Sequence, residues 1–249
     1  EGGESEIAIY EPVPIFGKTY ILSTRMSLSE VIDPRRQEKN MDYFSKYVQT
    51  YGYENLYLVS PAGQIFYAAL ADDEETQFAA IKDSGLARLY EKIMVSNGPA
   101  FTDFSRTTQD PVPYAYIGAP LMYQGRVEMI AALKLPADGL NTLMKVKQGL
   151  GKTTDIYLVG PDKLLRSDSF LMPDTFSVAR SFMNPGVIRV ETLPVRSALA
   201  GETGQVMAKD YRGIEVLSAY APIDFMGTTW AVMAELDKEE AFAPLTLFT

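Results

Sequence analysis

The stretch "NLYLVSPAGQIFYAA", Asn55–Ala69, returns as "DIYLVGPDKLLRSDS", Asp155–Ser169. Tyr57 falls on Tyr157, Val59 on Val159 and Pro61 on Pro161, a constant offset of 100 residues. In each copy an apolar β-type run is broken by a Pro-containing turn and resumes beyond it, which predicts two strands around a tight connection. The chain is therefore read as two similar modules in tandem, changing over near Gly149 to Thr154.

Working outward, "MDYFSKYVQTYGY" places Met41, Phe44, Tyr47, Val48 and Tyr51 at helical spacing behind an Asn40 N-cap. "SGLARLYEKIMVSNG" is a second helix, with Leu86, Leu89, Ile93 and Met94 inward and a stop at Asn97-Gly98. "AFTDF" is a short strand, and "VPYAYIGAPLMYQGRVEMIAALKLP" reads as two strands around "YQGR". "ADGLNTLMKVKQGLG" predicts an amphipathic helix through Leu140, Leu143 and Met144. After the changeover come a short helix in "LPVRSALAG", a strand in "GQVMAKDY" and two long strands around "FMG". Strands with intervening helices but no regular βαβ alternation argue an α+β fold with antiparallel sheets.

A second repeat frames the chain. "IAIYEPVPIFGKTYILSTRMSLSEVI", Ile7–Ile32, is matched by "LSAYAPIDFMGTTWAVMAELDKEEAF", Leu217–Phe242, at an offset of 210 residues. Tyr10 falls on Tyr220, Pro12 on Pro222, Gly17 on Gly227, Tyr20 on Trp230 and Glu30 on Glu240. The late copy closes the second module, whereas the early one has no module before it. Residues 1–32 are thus expected to be a closing-type β-hairpin from an upstream unit outside this chain, with an edge hairpin of the first module as the rival reading. The expected division is 1–32 for the hairpin, 33–150 for the first module and 151–249 for the second.

Composition narrows the chemistry. The 249 residues carry a net charge of −9 and include neither cysteine nor histidine. An acidic chain without a basic run argues against nucleic acid as a partner. Without cysteine or histidine no disulfide, thiolate or imidazole chemistry is available, so a Ser-His-Asp relay and a His-ligated zinc are excluded. No apolar run approaches the ~18 residues that cross a bilayer, and "EGGESEIAIY" lacks the pattern of a signal peptide. A soluble region is expected, with any targeting or membrane segment outside it. "GLGKTT" fails as a phosphate loop, because Val146 stands where the motif needs glycine and a strand follows in place of a helix.

Tyr67, Asp103, Phe104, Tyr114 and Tyr116 are the candidate ligand-binding residues. Tyr114 and Tyr116 alternate on one strand and share a face. Aromatic rings with polar tips plus one carboxylate suit an amine or hydroxylated metabolite, although tyrosines in a half-buried sheet also serve packing. In the second module Arg166 could take a carboxylate bidentately with Asp168 orienting it, or the two could pair and pin their strand. Asp210, Tyr211 and Arg212 read as a structural turn. The acidic run Asp72, Asp73, Glu74 and Glu75 reads as a solvated loop without the glycine-containing signature of a calcium loop. No catalytic residue, metal site or cofactor is assigned. A carboxylate-pair hydrolase would need two acids on opposed walls of one cleft, and no motif marks them.

"KYVQTYGYENLYLVSPAGQIFYA", "GKTTDIYLVGPDKLLRSDSF" and "VLSAYAPIDFMGTTWAVMAELDKEEAFAP" together resemble double Cache sensor regions, over roughly residues 41–245. The resemblance implies two tandem PAS-like Cache modules, each a central antiparallel sheet flanked by helices. It implies the extracytoplasmic, periplasmic part of an inner-membrane chemoreceptor or sensor histidine kinase, with a small-molecule ligand in the first, membrane-distal module. The second module would relay the change to the membrane through segments absent from this chain. A homodimer is admitted among the partners. The helix at 41–52 is shorter than the long N-terminal helix of the family. The aromatic series of the amine-recognising subgroup is not matched, since the single tryptophan, Trp230, lies in the closing strand of the second module. Amino-acid recognition is therefore not carried over. The alternative is a structural spacer or protein-binding ectodomain.

Overall fold

The computed structural model describes residues 6–15, 18–27, 43–70, 85–106, 112–145 and 150–246. Helix α1 (Tyr43–Tyr51) leads into β3 (Asn55–Val59) and β4 (Ile65–Ala68). Helix α2 (Gly85–Ser96) follows, then β5 (Ala100–Ser105), β6 (Tyr114–Tyr123), β7 (Arg126–Leu135) and the short α3 (Asp138–Met144). The strands form one antiparallel sheet in the order β4-β3-β7-β6-β5. Strand β3 is buried along most of its length because both of its faces are covered. On one face α2 sets Leu86, Leu89 and Ile93 against Val59, Ala100, Ile130 and Ala132. On the other, Val48 of α1 meets Leu56, Leu58 and Tyr67. Helix α2 stops as expected, with Asn97 in the left-handed region at φ 52°.

The second module holds β8 (Asp155–Val159), α4 (Val178–Met183), α5 (Leu193–Leu199), β9 (Gly204–Lys209), β10 (Glu215–Phe225), β11 (Thr228–Asp237) and α6 (Lys238–Thr246). Its antiparallel sheet runs β8-β11-β10-β9. This is the first sheet without a counterpart of β4, so the predicted second strand after "LVGPDK" is a correction. Only the bridge Val159↔Leu165 forms. Beyond it the chain turns to other partners. Leu158 N donates to the Ser167 hydroxyl (2.9 Å) and Asp168 N to Asn141 Oδ1 (2.7 Å). Ser167 and Asp168 stand where the first copy has Tyr67 and Ala68, and short polar side chains compete for backbone groups that a ladder would otherwise use.

Two helical faces also differ from expectation. In α3, Leu143 is 64% exposed while Asn141 is buried, because the Asn141 amide serves Asp168 through both its oxygen and its nitrogen. In α1, Tyr51 is exposed and stacks beside Tyr47 and Tyr53 in place of packing inward. Asn40, Met41 and the acidic run from Asp72 lie outside the described residues. No described helix is long and apolar enough to cross a membrane.

Strands β1 (Glu6–Ile15) and β2 (Lys18–Ser27) make a two-stranded sheet. Their register runs from Glu6↔Ser27 to Ile15↔Lys18, and that of β10 with β11 from Val216↔Asp237 to Phe225↔Thr228. Adding 210 to each β1–β2 pair reproduces the β10–β11 ladder, so the sequence repeat is also a repeat of backbone pairing.

A third cluster joins the modules. Phe101 and Phe104 of β5 meet Trp230 and Phe225 of the closing hairpin. Ring centroids of Phe101 and Phe225 are 4.7 Å apart, and the Phe225 and Trp230 planes are nearly parallel at 11°. Among the described residues no acceptor reaches the buried indole N–H of Trp230.

Candidate functional site

Pairing places the candidates on defined faces of the first sheet. Lys134 pairs with Asn55 on one side and Tyr116 on the other, so these side chains share the α2 face, and Tyr114 joins them two residues along. The Lys134 ammonium lies 3.8 Å from the Tyr114 ring centroid, a cation–π contact. The Tyr114 hydroxyl donates to Glu54 Oε1 at 3.2 Å. The Tyr116 ring rests on Gly85 at the start of α2, where a Cβ would come within 2.6 Å of two ring carbons. Only glycine lets the helix begin so close. Lys134 and Tyr116 are both partly exposed.

The other three candidates lie elsewhere. Tyr67 is on the α1 face, beside Phe44 at 5.6 Å between ring centroids. Phe104 belongs to the cluster between the modules. The Asp103 carboxylate is engaged by Arg166 of the second module, with Nε donating to Oδ1 at 2.7 Å and Nη2 to Oδ2 at 2.8 Å. The five residues therefore do not surround one space.

Arg166 is among the largest fully buried side chains of the described chain. Besides Asp103, its guanidinium reaches Asp162 Oδ1 at 2.9 Å and the Leu164 carbonyl at 3.0 Å. Burial works against its charge, but Asp103 and Asp162 outweigh that effect and hold the proton above the usual arginine range. The predicted Arg166–Asp168 pair is not formed. Asp168 instead accepts from Asn141 Nδ2 (2.8 Å) and Val178 N (2.7 Å), and burial raises its carboxyl against those two hydrogen bonds. The sequence carried no sign of the Asp103–Arg166 partnership, because its members are 63 residues apart and belong to different modules.

In the second module, Glu235 pairs with Asp155 and Ser218, as Lys134 does with Asn55 and Tyr116. Here the site is closed. Glu235 is 2% exposed and accepts from the Tyr157 hydroxyl (2.9 Å) and the Ser218 hydroxyl (3.0 Å). Burial pushes its carboxyl up to about 7, the two hydrogen bonds opposing and the charges of Asp210 and Asp155 adding to the rise. Asp155 accepts from Ser169 Oγ (2.6 Å), Phe170 N (2.8 Å) and the Tyr211 hydroxyl. Arg212 bridges Asp210 and Asp237, which makes that expected turn a structural clamp.

On the α1 face of the first sheet lies an apolar recess of about 400 Å³. Leu56, Ala131 and Leu133 line it from the sheet, and Tyr43, Phe44 and Tyr47 from the helix. Its depth follows from Ala119 and Ala131, two small residues that face each other where the next β6–β7 rung along on that face carries Ile117 and Leu133. None of the five candidates lines it.

Two antiparallel sheets with flanking helices, one module partly open at the position that the other closes, define a tandem PAS-like α+β architecture. Residues 7–245 match the family model described as Cache domain, of the double Cache type, and the chain belongs to that family. No curated protein matches the chain. The ligand-binding domain of the Pseudomonas fluorescens chemoreceptor CtaA, solved in complex with L-alanine, is similar at a TM-score of 0.53 and 14% identity, covering 84% of each chain. The extracellular domain of the putative histidine kinase rpHK1S-Z16 is similar at a TM-score of 0.54 and 13% identity, over 79% of this chain and 76% of that one. An extracellular ligand binding receptor from Desulfohalobium retbaense DSM5692 aligns over 74% of this chain at 12% identity and a TM-score of 0.48, and the chain spans 30% of its length. At these identities the likeness is one of fold. The first two of these neighbours are the ligand-binding domain of a chemoreceptor and the extracellular domain of a histidine kinase.

Proposed function

We propose that this chain is the extracytoplasmic ligand-binding sensor region of a bacterial transmembrane signalling receptor, a chemoreceptor or a sensor kinase. Residues 33–150 form the membrane-distal module that takes a small metabolite, residues 151–249 the proximal module that relays the change, and residues 1–32 a closing-type hairpin of an upstream module. The reading is carried by the contrast at one register position. Lys134 stands partly exposed beside Tyr114 and Tyr116, whereas its counterpart Glu235 is buried. A cation framed by tyrosines suits a ligand with a carboxylate. The amine expectation leaned on Asp103, whose carboxylate already holds Arg166. That a chemoreceptor domain of the same fold was solved with L-alanine supports a carboxylate-bearing ligand here. Ligand binding would favour one arrangement of the first module and shift the population of the whole.

A thermal-shift screen of carboxylated, amine and hydroxylated metabolites tests this. A ligand present at 100 times its Kd stabilises by about 2.7 kcal/mol. Lys134→Met should abolish the shift given by a carboxylated hit. A screen in which nothing shifts the protein overturns the reading.

A second reading, a protein-binding ectodomain, is favoured by the apolar recess and the neighbouring exposed Tyr43 and Tyr51. A silent metabolite screen, with a partner whose binding is lost in Ala131→Arg, would support it instead.

A further inference from the structure

We infer that strand β5 and the Asp103–Arg166 pair are the coupling element between the two modules. The inference rests on the relay reading above, and it identifies residues that carry the relay. Strand β5 is the edge of the first sheet and is held from both sides. On the α2 side, the Thr102 hydroxyl of β5 donates to the Gly85 carbonyl (3.0 Å), while from the helix Lys92 Nζ donates to the Phe101 carbonyl (2.9 Å) and Arg88 Nη2 to Ser105 Oγ (2.6 Å). Gly85 is also the residue against which Tyr116 rests, so the proposed ligand position and β5 share the start of one helix.

Towards the second module the same strand presents Phe101, Asp103 and Phe104. The aromatic cluster around Trp230 is apolar, and apolar contact is non-directional, so it tolerates sliding. A bidentate carboxylate–guanidinium pair fixes both distance and orientation. It forms where β5 breaks register between Thr102 and Ser105, the irregularity that turns Asp103 out of the ladder. On the far side Arg166 is locked in place. Its backbone N–H donates to the Leu158 carbonyl (2.8 Å), and Gly160 lies flush on the guanidinium, so that a Cβ there would come within 2.2 Å of Cζ. A displacement of α2 therefore reaches β8 through a continuous set of directional bonds. Contiguity alone does not establish coupling, and the test measures coupling directly.

The test uses the whole chain and no ligand. Leu89→Ala loosens the packing of α2 on the first sheet, and Leu89 is not part of the cluster between the modules. Hydrogen exchange is followed at β8 and β11. With the pair intact, Leu89→Ala should speed exchange in both modules, at the second by about tenfold, within the usual range of coupling. In an Asp103→Leu/Arg166→Met background, which replaces the buried pair by apolar groups, Leu89→Ala should speed exchange only in the first module. Should that double variant not fold, Asp103→Asn removes the charge while keeping the side-chain volume, and the same comparison is made on it. The inference is overturned if the second module ignores Leu89→Ala in the presence of the pair, or responds equally in its absence. Failure of the ligand reading would show as a silent metabolite screen and would leave these exchange rates untouched.

Discussion

Lys134 and Glu235 occupy the same position in their two sheets, the first between Asn55 and Tyr116 and the second between Asp155 and Ser218. One architecture thus carries a partly exposed cation in one copy and a sealed carboxyl in the other. The sealed carboxyl makes stability depend on pH. Its folded value, about 7, lies above the ordinary 4.5, so the folded state holds the proton more tightly than the unfolded chain. Its contribution is fully present below pH 4.5 and is lost as pH rises through about 7, amounting to about 3 kcal/mol in all. The melting temperature should fall between pH 5 and pH 8, and Glu235→Gln should flatten that part of the profile.

Tyr157→Phe removes a hydrogen bond that lowers the Glu235 carboxyl. The pH midpoint of the stability loss should then move upward, which repeating the melting series on the variant would detect. An unchanged midpoint would mean that Tyr157 does not hold Glu235 in solution.

Glu240 behaves in the opposite sense. Its carboxylate accepts from Lys152 N and Thr153 N, both at 2.8 Å, and from the Thr153 hydroxyl at 2.6 Å. Those bonds hold it down at about 2. The tie between α6 and the start of the second module is therefore present above pH 4.5 and is lost as pH falls through about 2. At neutral pH, Glu240→Gln should speed amide exchange at Lys152 and Thr153 while leaving β10 and β11 protected.

Gly160→Ala should be costly without touching a charge. The added methyl would meet the Arg166 guanidinium at 2.2 Å, forcing it off Asp103. Breaking a buried pair in this way costs about 3–5 kcal/mol, and chemical denaturation would read the loss. A cost below about 1 kcal/mol would be that of a surface change and would mean that the guanidinium moves aside freely.

Much of this architecture was legible as repetition. The offset of 100 residues located β3 and β8, and the offset of 210 located two hairpins with identical register. Alternation and turn chemistry carry that information locally. The missing counterpart of β4 was not legible, because "KLLRSDS" keeps the apolar start of its model copy while Ser167 and Asp168 draw backbone amides away from the ladder. Helices α4 and α6 escaped notice since each is short and weakly patterned. Of the proposed ligand position, Tyr114 and Tyr116 were visible as an alternating pair, but Lys134 became visible only through its partners on both neighbouring strands. Asp103 read as a ligand carboxylate because its cation lies in the other module, beyond any spacing argument.

Trp230 is the single tryptophan of the chain and sits in the aromatic cluster where β5 meets the closing hairpin. The protein thus carries a natural optical probe at the junction between its halves, with the rings of Phe101 and Phe225 at 5.9 and 6.0 Å from it. Emission from that one indole, in the unlabelled molecule, would register any parting or closing of the halves as it happens.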